Sequence, residues 1–175
     1  MILAARRSAG TAAAARTVSA RTGGMNVLVK NAGVMYTPLS CTADGFESQS
    51  GTNHPGHFLL TMMLPPALRA GALRSGRPSR IVAVSSDGHR SYPVDLDDPN
   101  LHTREYYKFA AYGQSKSANA LMAVELDARF GDGLDRHGGA YLSDCAIGQA
   151  AVPARDSETA VRLWQLSDAL VAVAR

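Results

Sequence analysis

The apolar and polar positions of this chain fall into two rhythms, helical stretches and short continuous runs, which alternate from one end to the other. Residues 1–5 read as a short apolar strand. Residues 8–21 follow as an alanine-rich helix stopped at Gly23-Gly24, where glycine can take the left-handed conformation that ends helices. Residues 26–29, Asn-Val-Leu-Val, form a buried-strand pattern that ends at Asn31-Ala32-Gly33. A helix is predicted over about 51–70, with Pro55 near its start and Pro65-Pro66 kinking it or ending its regular hydrogen bonding. Residues 80–85 give the clearest strand. Ile81 to Val84 is a continuous β-prone run, the pattern of a parallel strand covered on both faces. A polar loop over 87–108 leads to a long helix over about 111–130, with Ala118, Leu121, Met122 and Leu126 on one side. Residues 140–142 read as a last short strand. A helix over 157–173 closes the chain on Val161, Leu163, Trp164, Leu166 and Leu170. No internal repeat is visible. Strands alternating with helices predict an α/β class with a mainly parallel sheet.

Length makes this one domain: 175 residues can bury a real core and are too few for two ordinary domains, so 1–175 is read as a single unit. Hydrophobic residues at 46% and charged ones at 19% are the balance of a globular chain. A net charge of +3 with 6% aromatics argues against nucleic acid, which calls for clustered bases interleaved with aromatics. Cys41 and Cys145 sit far apart with no Cys-x-x-Cys, so a reducing cytoplasmic location is expected rather than a disulfide scaffold. The longest apolar stretch, residues 58–68, is broken by Thr61 and two prolines, so no membrane partner is expected. The first 24 residues carry Arg6, Arg7, Arg16 and Arg21 and no acid. That composition fits a transit peptide, but an ordinary surface helix is the favoured reading.

The chemistry centres on Tyr112-Gly-Gln-Ser-Lys116. Residues four apart share a helix face, so the phenol and the amine project together. An ammonium beside a phenol stabilises phenolate, and a tyrosine so tuned can exchange a proton with an alcohol oxygen. Chance alone yields about 0.1 such pairs in a chain of this composition, so the pair by itself is only suggestive. Its context strengthens it. Ser86 stands at the end of the 80–85 strand, where ligands collect in open α/β sheets, and can hydrogen-bond an oxygen as charge develops. The competing role for Ser86 is a cap for the following turn, which Ser85 could fill equally well. Asn31-Ala32-Gly33 ends a strand at the same sheet edge, and Asn53 lies near the start of the helix between. His54, His57 and His89 match no zinc spacing, so no metal is expected.

Asn31-Ala-Gly33, Asn53, Ser86 and Tyr112-x-x-x-Lys116 together resemble the short-chain dehydrogenase/reductase set, with a likeness to its retinol-dehydrogenase-like and WW-domain-oxidoreductase-like branch. The likeness is dense over about 26–130 and includes Thr52-Asn53-His54-Pro55-Gly56-His57-Phe58 and the long insertion between Ser86 and Tyr112. It implies a shortened Rossmann-like α/β/α domain of three to five strands. Its implied roles are Tyr112 as general acid/base, Lys116 as the group that tunes it and holds the nicotinamide ribose, Ser86 on the reacting oxygen, and Asn53 as anchor of a proton relay. Asn31, Ala32 and Gly33 would pass the adenosine half. Arg6 resembles the arginine that meets a 2′-phosphate, which favours NADP over NAD. The implied partners are an alcohol or carbonyl substrate and a second copy of the chain, paired through the helices that carry Asn53 and Tyr112.

Departures from the pattern temper the expectation. No Gly-x-x-x-Gly-x-Gly precedes Asn26, so the turn that holds a pyrophosphate on a helix N-terminus is missing, which counts against cofactor binding on this reading. The segment before Asn26 and the one after Phe130 are short against the family, which reads as a truncated start and an internal deletion. Lys30, Ser50 and Pro55 replace asparagine, an aromatic or apolar residue, and leucine. Three functions are therefore carried forward: an NADP-dependent alcohol/carbonyl oxidoreductase, a reduced remnant serving as a dimerising interaction module, and a redox-free dehydratase, isomerase or cyclase working through Tyr112, Lys116 and Ser86.

Overall fold

A computed structural model describes residues 8–131 and 137–172. The predicted first helix forms as α1, Ser8–Arg21, and Gly24 at φ +134 turns the chain into β1, Val27–Lys30. The single helix expected over 51–70 is three: α2, Ser48–Asn53; α3, Pro55–Met63; and α4, Pro65–Ser75. Each proline opens a helix instead of kinking one, because a first-turn residue needs no N–H partner. The Glu47 carboxylate starts α2 by accepting from Gln49 N (2.9 Å) and Ser50 N (2.7 Å).

β2, Arg80–Ala83, pairs in parallel with β1, placing Leu28 beside Ile81 and Val29 beside Val82. Leu28 joins Ala15, Leu60, Leu64, Ala67 and Leu68, so α1, α3 and α4 cover that face of the sheet. The opposite face is open among the described residues, with Val27 53%, Val29 55% and Val82 42% exposed. The continuous apolar run of β2 therefore does not signal cover on both faces here. A run of β-branched residues looks the same whichever face is packed. The parallel sheet has two strands among the described residues, against the three to five expected; the strand expected at 1–5 lies outside them.

The long helix α5, Lys108–Phe130, and the closing helix α6, Ser157–Val171, pack on each other. Phe58, Leu59, Met122, Trp164 and Val171 form their shared core with α3. Asp156 caps α6 by accepting from Thr159 N (2.7 Å). Of its expected apolar positions, Leu163 and Trp164 are buried and Val161 is exposed. The strand expected over 140–142 is one arm of a separate antiparallel hairpin, β3 (Leu142–Ser143) with β4 (Ala146–Ile147). Asp144 and Cys145 turn it with φ of 50 and 60, the positive values a two-residue hairpin loop requires. Cys41 and Cys145 are free thiols. Among the described residues no helix is long and apolar enough to cross a membrane.

Candidate active site

The end of β2 and the middle of α5 are held together by short polar contacts. Ser85 Oγ donates to the Lys116 carbonyl (2.9 Å), while Lys116 Nζ donates to the Val84 carbonyl (3.2 Å). Asn119 Nδ2 donates to the same carbonyl at 3.2 Å. Lys116 is buried, and loss of hydration pushes its pKa down. One turn earlier, the half-buried Tyr112 ring centre lies 5.5 Å from Lys116 Nζ. The predicted shared face is present.

One glycine makes this approach possible. A Cβ on Gly113 would sit 2.7 Å from the Gly88 carbonyl oxygen and 2.5 Å from the Tyr92 ring, so only glycine lets α5 lie on the turn at 87–90. The Tyr112 ring in turn rests 3.5 Å from where a Gly88 Cβ would stand. Ser86 caps that turn, its Oγ accepting from Gly88 N at 3.3 Å. The turn-capping role weighed for Ser86 is thus filled by Ser86 itself. Its hydroxyl serves as the acceptor in that contact, which leaves its proton for another oxygen. His89 Nε2 accepts from Ala151 N (3.0 Å), so Nδ1 carries the proton donated to the Ser86 carbonyl (2.6 Å).

Asn53 is fully buried between β1 and α5. Its Oδ1 accepts from Val34 N (2.9 Å), and its Nδ2 donates to Val34 O (3.0 Å) and Ser115 Oγ (2.9 Å). The side chain is thus occupied in holding the segment after β1 against α5. A Cβ on Gly33 would fall 2.9 Å from Asn53 Oδ1 and 3.8 Å from Lys116 Nζ, so Gly33, Asn53 and Lys116 form one close-packed cluster with no room for a side chain at the glycine. Asn31 and Ala32 lead into it, exposed and half-buried. Arg6 lies outside the described residues.

Two of the histidines weighed as metal ligands are neutral. Burial first, then the nearby Lys30 charge, lowers His54 to about 3 and His57 to about 4. His54 Nε2 meets Ser167 Oγ at 2.8 Å. No group of three or more His, Cys, Asp or Glu side chains among the described residues could hold a metal ion.

No family model matches the chain. A stretch of 105 residues is 49% identical to Retinol dehydrogenase 13 of Homo sapiens, covering 60% of this chain and 30% of that protein. Another of 103 residues is 52% identical to Polyprenol dehydrogenase of Mus musculus, covering 58% and 30%. A third, of 121 residues, is 45% identical to Short-chain dehydrogenase/reductase prx1 of Penicillium roqueforti, covering 67% and 34%. The chain belongs to the short-chain dehydrogenase/reductase family. This short-chain dehydrogenase/reductase spans about a third of the length of the curated relatives it matches. It is also similar to a solved structure of an uncharacterized protein from Mycobacterium Paratuberculosis, with TM-score 0.81 and 30% identity over 97% of this chain and 74% of that one.

Three residues beside this candidate site escape the sequence reading. Tyr36 stands edge-on to Tyr112 with ring centres 5.6 Å apart. Phe109 lies 4.3 Å from Tyr36 by the same measure, and Gln49 is wholly buried beneath them. Gln49 precedes the helix read from about 51 and left no trace in the sequence. Tyr36 lies on a segment without periodicity, and Phe109 falls just before the helix read from about 111, so neither left one.

Proposed function

We propose that this chain interconverts an alcohol and a carbonyl with NADP(H), using Tyr112 as the proton donor and acceptor. The observation that carries the reading is the convergence of Tyr112, Lys116, Asn53 and Gly33 at the carboxyl ends of β1 and β2. Lys116 supports cofactor capture, since its amine stands beside Gly33 and is a donor a nicotinamide ribose can use, while the Asn53 carboxamide is spent on Val34 and Ser115. Asn31 and Ala32 would line the approach, and Arg6, by its place in the sequence, favours the 2′-phosphorylated form. Among the described residues no glycine-rich turn is present to hold a pyrophosphate. When bound, the nicotinamide supplies or accepts the hydride. The protein's own part is to orient the substrate oxygen with the Ser86 hydroxyl, move a proton at Tyr112 Oη and hold positive charge nearby on Lys116. The names of the relatives, retinol and polyprenol dehydrogenases, suggest an apolar alcohol.

The test is NADPH oxidation with a panel of apolar aldehydes and ketones. Saturable turnover that Tyr112→Phe lowers by about 100-fold or more supports the proposal. No turnover and no shift of NADPH fluorescence at millimolar cofactor discards it. A second reading, an interaction module descended from the family, is favoured by the open Val27, Val29 and Val82 face of the sheet. Assembly with a second copy belongs to that reading. α2 is almost wholly buried and α5 has no exposed residue from 109 to 126, so the helices carrying Asn53 and Tyr112 offer a partner little free surface.

A further inference from the structure

We infer that His89 is a positioning residue: its ring aims the Ser86 hydroxyl by gripping the Ser86 backbone, and it ties that serine to the segment 141–151. The inference rests on the oxidoreductase reading above and adds a residue to its machinery. It starts from a histidine that is 1% exposed and spends both ring nitrogens on backbone groups.

Ala151 N can only donate, so Nε2 accepts from it at 3.0 Å, and the one ring proton stands on Nδ1, 2.6 Å from the Ser86 carbonyl. The backbone N–H of His89 reaches the same carbonyl at 3.1 Å. Two donors from one residue thus hold the Ser86 peptide. Ser86 itself is extended, with φ −164 and ψ 158, and its Oγ accepts from Gly88 N at 3.3 Å. That contact is long for an N–H donor and an oxygen acceptor, so it holds the hydroxyl only loosely. The peptide behind the side chain sets where the hydroxyl points.

His89 also joins three parts of the molecule. Its carbonyl accepts from Ser117 Oγ (3.2 Å), on α5 directly after Lys116. Its ring packs on Tyr141 with centres 5.0 Å apart, and beside it Arg90 Nη2 donates to the Gln149 carbonyl (3.3 Å). The segment 141–151 is therefore anchored on the turn that Ser86 caps, with one imidazole at the centre of the joint. Its two backbone partners select a single tautomer, and a single tautomer fixes the ring. Misplacing a reacting group by an ångström can cost about 100-fold in rate, so a serine held through its peptide is sensitive to the loss of that hold.

Two amide side chains separate the ring's two contacts. Asparagine places an N–H where Nδ1 stands, and glutamine places an oxygen where Nε2 stands. Hydrogen exchange followed by NMR on the full chain reads each contact without turnover: Gly88 reports the Ser86 hydroxyl, Ala151 the anchored segment, and the buried Leu121 the core. His89→Gln is expected to speed exchange at Gly88 about tenfold and leave Ala151 protected, and His89→Asn to do the reverse, with Leu121 unchanged in both. In NADPH oxidation His89→Gln should lower kcat about tenfold at unchanged KM, and His89→Asn should recover it to within about threefold of wild type. Equal exchange at Gly88 in the two variants, or a fall in kcat that follows Leu121 rather than Gly88, overturns the inference. If Gly88 and Ala151 respond as expected while wild type oxidises no NADPH, the oxidoreductase reading fails and the hold on Ser86 stands.

Discussion

Two lysines are buried in this molecule, and their surroundings differ. Lys116 and Lys30 expose 5% and 2% of their surface. Lys116 Nζ finds a carbonyl at 3.2 Å and lies beside Gly33. Lys30 Nζ finds only the Met122 thioether, at 3.0 Å, and burial drives its pKa from 10.5 to about 7. A thioether is a weak acceptor, so nothing repays the lost hydration. The contrast separates an amine that keeps a carbonyl partner from one buried at a loss, on adjoining elements of one core.

The largest effect expected concerns Lys116. Lys116→Met should lower carbonyl reduction by about 1,000-fold, while Lys30→Met leaves it within about twofold, both read as NADPH oxidation. Equal losses would erase the distinction. Next, Lys30→Met should raise the unfolding free energy at pH 7 by about 3 kcal/mol, since a shift from 10.5 to about 7 costs on the order of 4–5 kcal/mol and repacking returns only part. Urea denaturation checks this, and an unchanged or lower midpoint contradicts it. On the same strand, Leu28→Ala should cost about 2–3 kcal/mol and Val29→Ala under about 1 kcal/mol, because only Leu28 packs under helices. Similar costs would mean that the open face is covered in solution.

The smallest effect is the pH dependence. The unfolded Lys30 amine binds its proton below 10.5 and the folded one only below about 7, so stability falls as pH drops through that window and then levels. Between pH 8 and pH 7 the loss should be about 1 kcal/mol. His57 and His54, depressed to about 4 and about 3, extend the decline from 6.5 downward. In Lys30→Met the upper window should vanish and the lower one remain, as urea midpoints across pH would show.

The sequence was legible where one local signal decided the outcome. Gly23-Gly24 ended α1 as read, the apolar runs marked β1 and β2, and the four-residue spacing placed Tyr112 and Lys116 on one face. It misled where tertiary context decides. Pro55 was read as lying near the start of one helix and Pro65-Pro66 as kinking or ending it, but Pro55 and Pro65 each begin a new helix, and only the packed neighbours choose. The run Ile81–Val84 could not say which face would be covered. Lys30 stood out as a substitution, yet its full burial depends on α5, which lies about ninety residues away in sequence. Tyr36 acquires its place from Gln49 and Tyr106, contacts without a sequence rhythm.

The break between α2 and α3 has a consequence for Asn53. It is the last residue of α2, and His54, with φ −125 and ψ −69, is the joint before Pro55 restarts the helix. The direction of the carboxamide is therefore set by a joint rather than by a rigid rod. The bonds to Val34 and Ser115 then lock it there, so the floor of the cleft is fixed at a helix end while α3 starts afresh toward the core.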